Sequence, residues 1–88
     1  MNITTNPIYW ELVDSKNKHS KFWAAKIRNG GTSYDYGDAG TWLLERRWGA
    51  IGTRGQQTIS AFPSEDGAKT ELRKLIKFKE REGYKPIF

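Results

Sequence analysis

The sequence predicts an α+β domain, in which a small antiparallel sheet carries one C-terminal helix on one of its faces. Four short segments are rich in aromatic and β-branched residues, as strands are. One segment near the C-terminus has the apolar spacing of a helix. The chain has 88 residues and no cysteine, so one hydrophobic core must stabilise it without disulfides or thiolate metal sites. We therefore expect a single domain over residues 1–88.

About four strands are expected, with room for a fifth short one: residues 8–13, 21–28, 42–49 and 57–62. Pro7 precedes the first strand, a position where proline is tolerated. In the second strand Trp23, Ala25 and Ile27 share one face, which is the alternation of a half-buried strand. The glycine-rich residues 29–41 are expected to form a long loop before the third strand.

The helix is expected to begin after Ser64, a good N-cap, with Glu65 and Asp66 placing negative charge at its N-terminus. Gly83 supplies a C-terminal stop. The side chains with the spacing of one buried face are Ala68, Leu72, Leu75, Ile76 and the stem of Lys79. The tail is expected to pack back on the domain through Tyr84, Ile87 and Phe88.

Residues 48–56 read Trp-Gly-Ala-Ile-Gly-Thr-Arg-Gly-Gln, with glycines at every third position. Such glycines weaken a strand unless a bulge, a tight turn or a close approach requires them. We therefore expect a hairpin with an irregular tip between the third and fourth strands.

The pattern Trp-Gly-x-Ile-Gly-x-x-Gly-Gln resembles the signature of the WGR domain, which occurs in poly(ADP-ribose) polymerases and in some bacterial proteins. Ala50 stands where that motif has its Arg. Residues 21–23, Lys-Phe-Trp, are similar to the family's Lys-Phe-Tyr, and the strand-to-helix junction at Phe62 and Ser64 and the helix end at 79–84 also match. The resemblance covers almost the whole chain and implies a WGR-like fold.

In the polymerases the domain binds DNA breaks, where its Trp packs on a terminal sugar and nearby basic and polar groups hold the 5′ phosphate. The resemblance implies that role for Trp48 and Gly49, and for Lys21, which matches a basic position of the family. Three arginines flank Trp48 in the same hairpin. The candidate nucleic-acid-binding residues are therefore Lys21, Arg46, Arg47, Trp48, Gly49 and Arg54.

The residues themselves leave alternatives open at this site. By strand parity Arg46 and Trp48 share a face and Arg47 projects to the other, which favours a phosphate site. A solvated, charged strand is the other interpretation of these arginines. Trp48 alone would be assigned to the core, as Trp23 is, and the resemblance favours an exposed platform; Trp42 is left open.

The net charge is +5 and is uneven, because residues 45–88 hold ten Lys and Arg against six Asp and Glu. This excess favours an anionic partner, and the expected partner is nucleic acid, in particular DNA. The alternative is an unidentified protein that docks on the aromatic hairpin. On the helix Arg73, Lys77 and Arg81 form a basic stripe, which is either its solvated side or an extension of the phosphate path.

Other functions find no support in the sequence. No nucleophile, general base or cofactor fingerprint can be assembled, so we expect no enzyme and no cofactor. His19 stands alone, and Asp35 and Asp38 lack the ligand density of a calcium loop, so no metal site is expected. No apolar run or leader segment indicates a membrane or secretion. We expect a cytoplasmic monomer.

Overall fold

The computed structural model describes residues 7–14, 19–30 and 41–87. These residues form a five-stranded antiparallel sheet with one helix on it, which confirms the predicted α+β class. The strands follow the order β4-β3-β2-β1-β5 across the sheet. The elements are β1 (Ile8–Asp14), β2 (His19–Asn29), β3 (Trp42–Ala50), β4 (Gln56–Phe62), α1 (Glu65–Glu82) and β5 (Lys85–Pro86).

The four expected strands are present and are each one to three residues longer than expected. Most of the loop expected over 29–41, with Asp35 and Asp38, lies outside the described residues. At its ends, Gly30 donates its N–H to the carbonyl of Thr41 at 2.7 Å and so continues the pairing of β2 with β3.

The C-terminal tail forms the fifth strand. β5 pairs with Trp10 and Glu11 of β1, and the Ile87 N–H donates to the Tyr9 carbonyl at 2.9 Å. Tyr84 is buried as expected, but Ile87 is 53% exposed, so the expectation that its side chain packs back is wrong. Backbone hydrogen bonds hold this part of the tail instead. Phe88 lies outside the described residues.

The core lies between α1 and one face of the sheet. Its strand side contains Trp23, Ala25 and Ile27, as the alternation predicted, with Trp10 and Leu44 beside them. The rings of Trp10 and Trp23 meet edge to face, with centroids 6.3 Å apart. The helix contributes its expected apolar face, with Ala68, Leu72 and Ile76 buried and Leu75 partly buried.

The predicted caps delimit α1. Ser64 accepts a hydrogen bond from the Gly67 N–H at 3.0 Å. Gly83 adopts a left-handed conformation and donates its N–H to the Glu80 carbonyl at 3.1 Å. An N-cap side chain such as that of Ser64 stabilises a helix by about 1 kcal/mol.

The helix crosses the sheet diagonally. Near its start Gly67 packs against Phe62 of β4, since a Cβ there would lie 3.7 Å from the Phe62 ring. At its end Gly83 packs against Leu12 of β1, where a Cβ would lie 3.2 Å from Cδ1. Phe62 and Leu12 belong to opposite ends of the sheet, because Phe62 pairs with Trp42 at the start of β3 and Leu12 pairs with Lys21 near the start of β2. The helix therefore does not cover the corner of the sheet where β3 ends and β4 begins.

Two glycines close the hairpin between β3 and β4. At Gly55, whose φ is +71°, a Cβ would lie 2.1 Å from the Trp48 carbonyl oxygen and 2.9 Å from the Phe22 ring. At Gly49 a Cβ would lie 2.7 Å from the Cα of Gly55. The tip turns through a hydrogen bond from the Thr53 N–H to the Ala50 carbonyl at 3.1 Å. This confirms the irregular tip expected from the glycine spacing.

Gly55→Ala is expected to lower the free energy of unfolding by about 1–3 kcal/mol more than Gly52→Ala. Both glycines have a left-handed φ, but a Cβ at Gly52 meets nothing within 4 Å. Gly52→Ala thus measures the backbone strain alone. The additional loss of unfolding free energy in Gly55→Ala measures the overlap of the new Cβ with Trp48. Urea unfolding followed by tryptophan fluorescence gives both values, and equal losses would show that the close approach is not needed.

Candidate nucleic-acid interface

One corner of the helix-bearing face is open, and five side chains define it. We call it the open corner, and it consists of Lys21, Arg46, Trp48, Gln56 and Thr58. In register Trp48 lies opposite Gln56, Arg46 lies opposite Thr58, and Lys21 of β2 lies opposite Ala50. Alternation along the strands places all five side chains on the face that bears α1. Gln56 and Thr58 are exposed, whereas Leu44, two residues before Arg46, is fully buried.

Trp48 is half-buried at the centre of the open corner. It packs against the core, where its cross-strand partner is Trp23, which is 2% exposed. The rest of the side chain is accessible. The structure thus lies between the two interpretations of Trp48, because one part of the side chain packs on the core and the other part is exposed. A tryptophan held on one side by the core can offer its accessible part to a ligand with little loss of side-chain entropy.

Arg46 is half-buried beside Trp48. Its Nη2 donates to Ser60 Oγ at 3.4 Å, while its Nε is buried without a hydrogen-bond partner. Within the described residues no carboxylate forms a salt bridge with it. A buried donor without an acceptor is costly. The Nε donor is thus unsatisfied but also shielded from solvent, so a ligand can reach only the accessible remainder of this half-buried side chain.

Lys21 and Arg54 extend the positive charge around Trp48. Lys21 is exposed and lies diagonally across from Trp48, which corresponds to about 7–8 Å between Cα atoms. Arg54 is exposed in the tip of the hairpin. The two cross-strand rows that hold Trp48 and Arg46 contain no acidic residue. The open corner is thus an aromatic side chain among cations, without a carboxylate in its central rows.

Arg47 is separated from this group, as its parity predicted. It lies on the helix-free face, 5.7 Å from the centroid of the Phe22 ring, and Phe22 stacks on Tyr9 with centroids 5.8 Å apart. The Tyr9 hydroxyl donates to Glu11 Oε2 at 2.9 Å. Desolvation, and then the hydrogen bond and charge of Glu11, raise the pKa of Tyr9 above 10.0, and Arg47 opposes them. Arg47 contributes to a packed aromatic group here.

The helix-free face also carries a shallow pocket of about 220 Å³, which the sequence did not indicate. Lys26, Glu45 and Arg47 are among the residues that line it. Glu45 forms a salt bridge with Arg28 at 3.2 Å. Both signs of charge are present, so this pocket is less suited to a phosphate than the open corner is.

Gly49 has a structural explanation that is independent of ligand binding. It permits the contact with Gly55 that closes the hairpin directly after Trp48. A role for Gly49 in binding stays a prediction. The basic stripe of α1 is exposed and lies away from the buried face of the helix, at Arg73, Lys77 and Arg81.

Among the described side chains no group of three His, Cys, Asp or Glu is arranged to hold a metal ion. In the described part of the chain no helix has the length and apolar character needed to span a bilayer.

Comparisons with known proteins identify the family. The family model of the WGR domain matches residues 6–87, which is nearly the whole chain. An uncharacterized protein of Sinorhizobium fredii (strain NBRC 101917 / NGR234), y4dW, is 30% identical over 79 residues. The match covers 90% of this chain and 35% of that protein, so the chain spans about a third of the relative's length. None of the solved structures matches significantly. The fold, the hairpin signature and the extent of the family match together show that the chain belongs to the WGR domain family.

Proposed function

We propose that this WGR domain is a non-catalytic module that binds duplex DNA at breaks through the open corner. The observation that carries the proposal is the half-buried Trp48 placed beside Arg46 and Lys21, neither of which has a salt-bridge partner among the described residues. The net charge of +5 agrees with an anionic partner. The resemblance to the break-binding domains of poly(ADP-ribose) polymerases supports the choice of DNA breaks.

Each part of the open corner has a separate task in this proposal. Trp48 packs on an exposed terminal sugar or base, an interaction that contributes about 1–3 kcal/mol. Lys21, Arg46 and Arg54 contact backbone phosphates. In this proposal the strands and hairpin of the open corner, rather than a helix in the major groove, meet the duplex. Binding therefore depends on salt and on the end of the duplex, and not on sequence.

A matched pair of tryptophan substitutions tests the platform. Trp42 and Trp48 lie at opposite ends of β3, on the same face, and both are half-buried against the core. Trp48→Leu is expected to weaken binding to a 5′-phosphorylated nicked duplex about tenfold, through the loss of stacking. Trp42→Leu should leave the affinity within about twofold. Fluorescence polarisation with nicked duplex, intact duplex and single strand provides the measurement.

The same titrations separate this proposal from a protein-binding function. If all three ligands bind equally weakly, and Trp48→Leu changes nothing, the proposal is wrong. The aromatic hairpin would then be better explained as a surface for a protein partner.

A matched pair of lysine substitutions tests which face of the sheet binds the nucleic acid. Lys21 and Lys26 are both exposed on β2 but project to opposite faces of the sheet. Lys21→Gln is expected to lower the affinity and to reduce the slope of log K against log salt by about 0.9, because one phosphate contact is lost. Lys26→Gln makes the same change in net charge and should leave the slope unchanged. Equal effects of the two substitutions would show that only the overall charge matters.

Arg46→Met is expected to change the free energy of unfolding by less than about 1 kcal/mol, because the thioether side chain keeps the packing and removes an unsatisfied Nε. The affinity for the nicked duplex should fall all the same. Urea unfolding and polarisation on the same preparation provide both values. A large loss of stability would instead assign Arg46 a structural role.

A further inference from the structure

The two edges of the sheet differ in how well they are protected. The β5 edge is two residues long and contains Lys85 and Pro86, both of which discourage further pairing. The β4 edge is seven residues long, Gln-Gln-Thr-Ile-Ser-Ala-Phe, without a charge, a proline or a glycine. It pairs with β3 in continuous register from Gln56 to Phe62, so no bulge interrupts it. Charges, prolines and bulges, which normally discourage edge pairing, are thus absent from this strand, and no other described strand pairs with its outer side.

The backbone groups that face outward from β4 follow from the hydrogen-bond pattern. The Ile51 N–H donates to the Ser20 carbonyl at 3.0 Å, so Ser20 and every second residue of β2 after it direct their backbone groups toward β3. The β3 partners of those residues, such as Arg47, direct their backbone N–H and C=O groups back toward β2. The alternate residues of β3, such as Arg46 and Trp48, direct theirs toward β4. In β4 the residues paired with Arg46 and Trp48 face β3. The backbone N–H and C=O groups directed away from the sheet belong to Gln57, Ile59 and Ala61.

We propose that this edge pairs antiparallel with β4 of a second copy, which joins two sheets into one of ten strands. A two-fold axis at Ile59 places Ile59 opposite Ile59, and the outward backbone groups of Gln57 opposite those of Ala61. Thr58 then faces Ser60 of the other copy as a non-hydrogen-bonded pair. Each pairing matches an apolar or uncharged side chain with another, and β-branched and hydroxyl pairs of this kind stabilise antiparallel strands.

The sequence of β4 favours a second copy as the occupant, because every pair formed across the two-fold axis joins uncharged side chains. A chain of net charge +5 repels its copies, and β4 is a strand to which no charged side chain contributes. Edge pairing there brings two uncharged strands together. The axis is perpendicular to the sheet, so both α1 helices and both open corners lie on the same face of the assembly.

The expected dimer is weak. One pair of seven-residue strands buries an area at the low end of specific interfaces, so the dimer should form only at high concentration. In this dimer the two Trp48 residues are separated by three strand spacings across the sheet and by six residues along the strands. They would therefore lie roughly 25 Å apart. The proposal does not depend on nucleic-acid binding, because it is tested without nucleic acid.

The test is sedimentation velocity of the full chain from low micromolar to near-millimolar concentration. The wild type is expected to shift from monomer toward dimer. Ile59→Lys, which places two ammonium groups across the axis, should remain monomeric. Val13→Lys introduces the same charge on β1, at a side chain that is 66% exposed, and should dimerise as the wild type does. A wild type that stays monomeric throughout, or an Ile59→Lys variant that dimerises equally, would overturn the proposal.

A cross-linking experiment tests the register without relying on the Ile59→Lys variant. The chain has no cysteine, so each introduced thiol is unique. A mixture of Thr58→Cys and Ser60→Cys should form a disulfide-linked heterodimer on mild oxidation, since Cα atoms of a non-hydrogen-bonded pair lie about 4.5 Å apart. Either variant alone should form much less. Equal cross-linking in the mixture and in the separate variants would refute this register.

Discussion

The diagonal course of α1 determines which side chains of the sheet become core and which stay accessible. It is fixed at both ends by packing, with Gly67 against Phe62 and Gly83 against Leu12. Between these contacts the helix buries Ala68, Leu72 and Ile76 in the core. A helix parallel to the strands would have covered one strand along its length. The diagonal instead leaves the last residues of β3 beside it, so Trp48 is half-buried where Leu44 is fully buried.

The glycines of the hairpin allow β3 and β4 to approach each other closely next to Trp48. Gly55 brings the backbone of the returning strand against the Trp48 carbonyl, and Gly49 makes room for it. A side chain at either position would force β3 and β4 apart just where the aromatic platform is held. The spacing of these two glycines in the sequence thus has a steric cause. In our account Trp48, Arg46 and Lys21 bind, while Gly49 and Gly55 hold the hairpin that supports Trp48.

Local patterns in the sequence predicted the elements that have local causes. Ser64 and Gly83 marked the ends of the helix, alternation placed Trp23 in the core, and parity placed Arg46 and Arg47 on opposite faces. Three features have non-local causes and could not be placed from the sequence, although a fifth short strand was allowed for. Phe22 is 3% exposed on the helix-free face, because Tyr9 of another strand and Arg47 cover it.

The other two features depend on distant parts of the chain in the same way. The two-residue β5 has no strand signal of its own and exists only through pairing with β1. The partial burial of Trp48 depends on the path of a helix more than fifteen residues later in the chain. The accessible area of a candidate site residue is thus a property of the whole fold, and sequence could supply only its residue type and its face.

The indole N–H resonances of the four tryptophans offer the most direct test of the open corner as the nucleic-acid site. Each tryptophan gives one such signal in a proton–nitrogen correlation spectrum; Trp10 and Trp23 are buried, whereas Trp42 and Trp48 are half-buried. On titration with a 5′-phosphorylated nicked duplex, the account predicts that the Trp48 signal shifts most, with little change at Trp10 and Trp23. Shifts confined to other tryptophans, or to the backbone amides around Arg47 and Lys26 on the helix-free face, would contradict it.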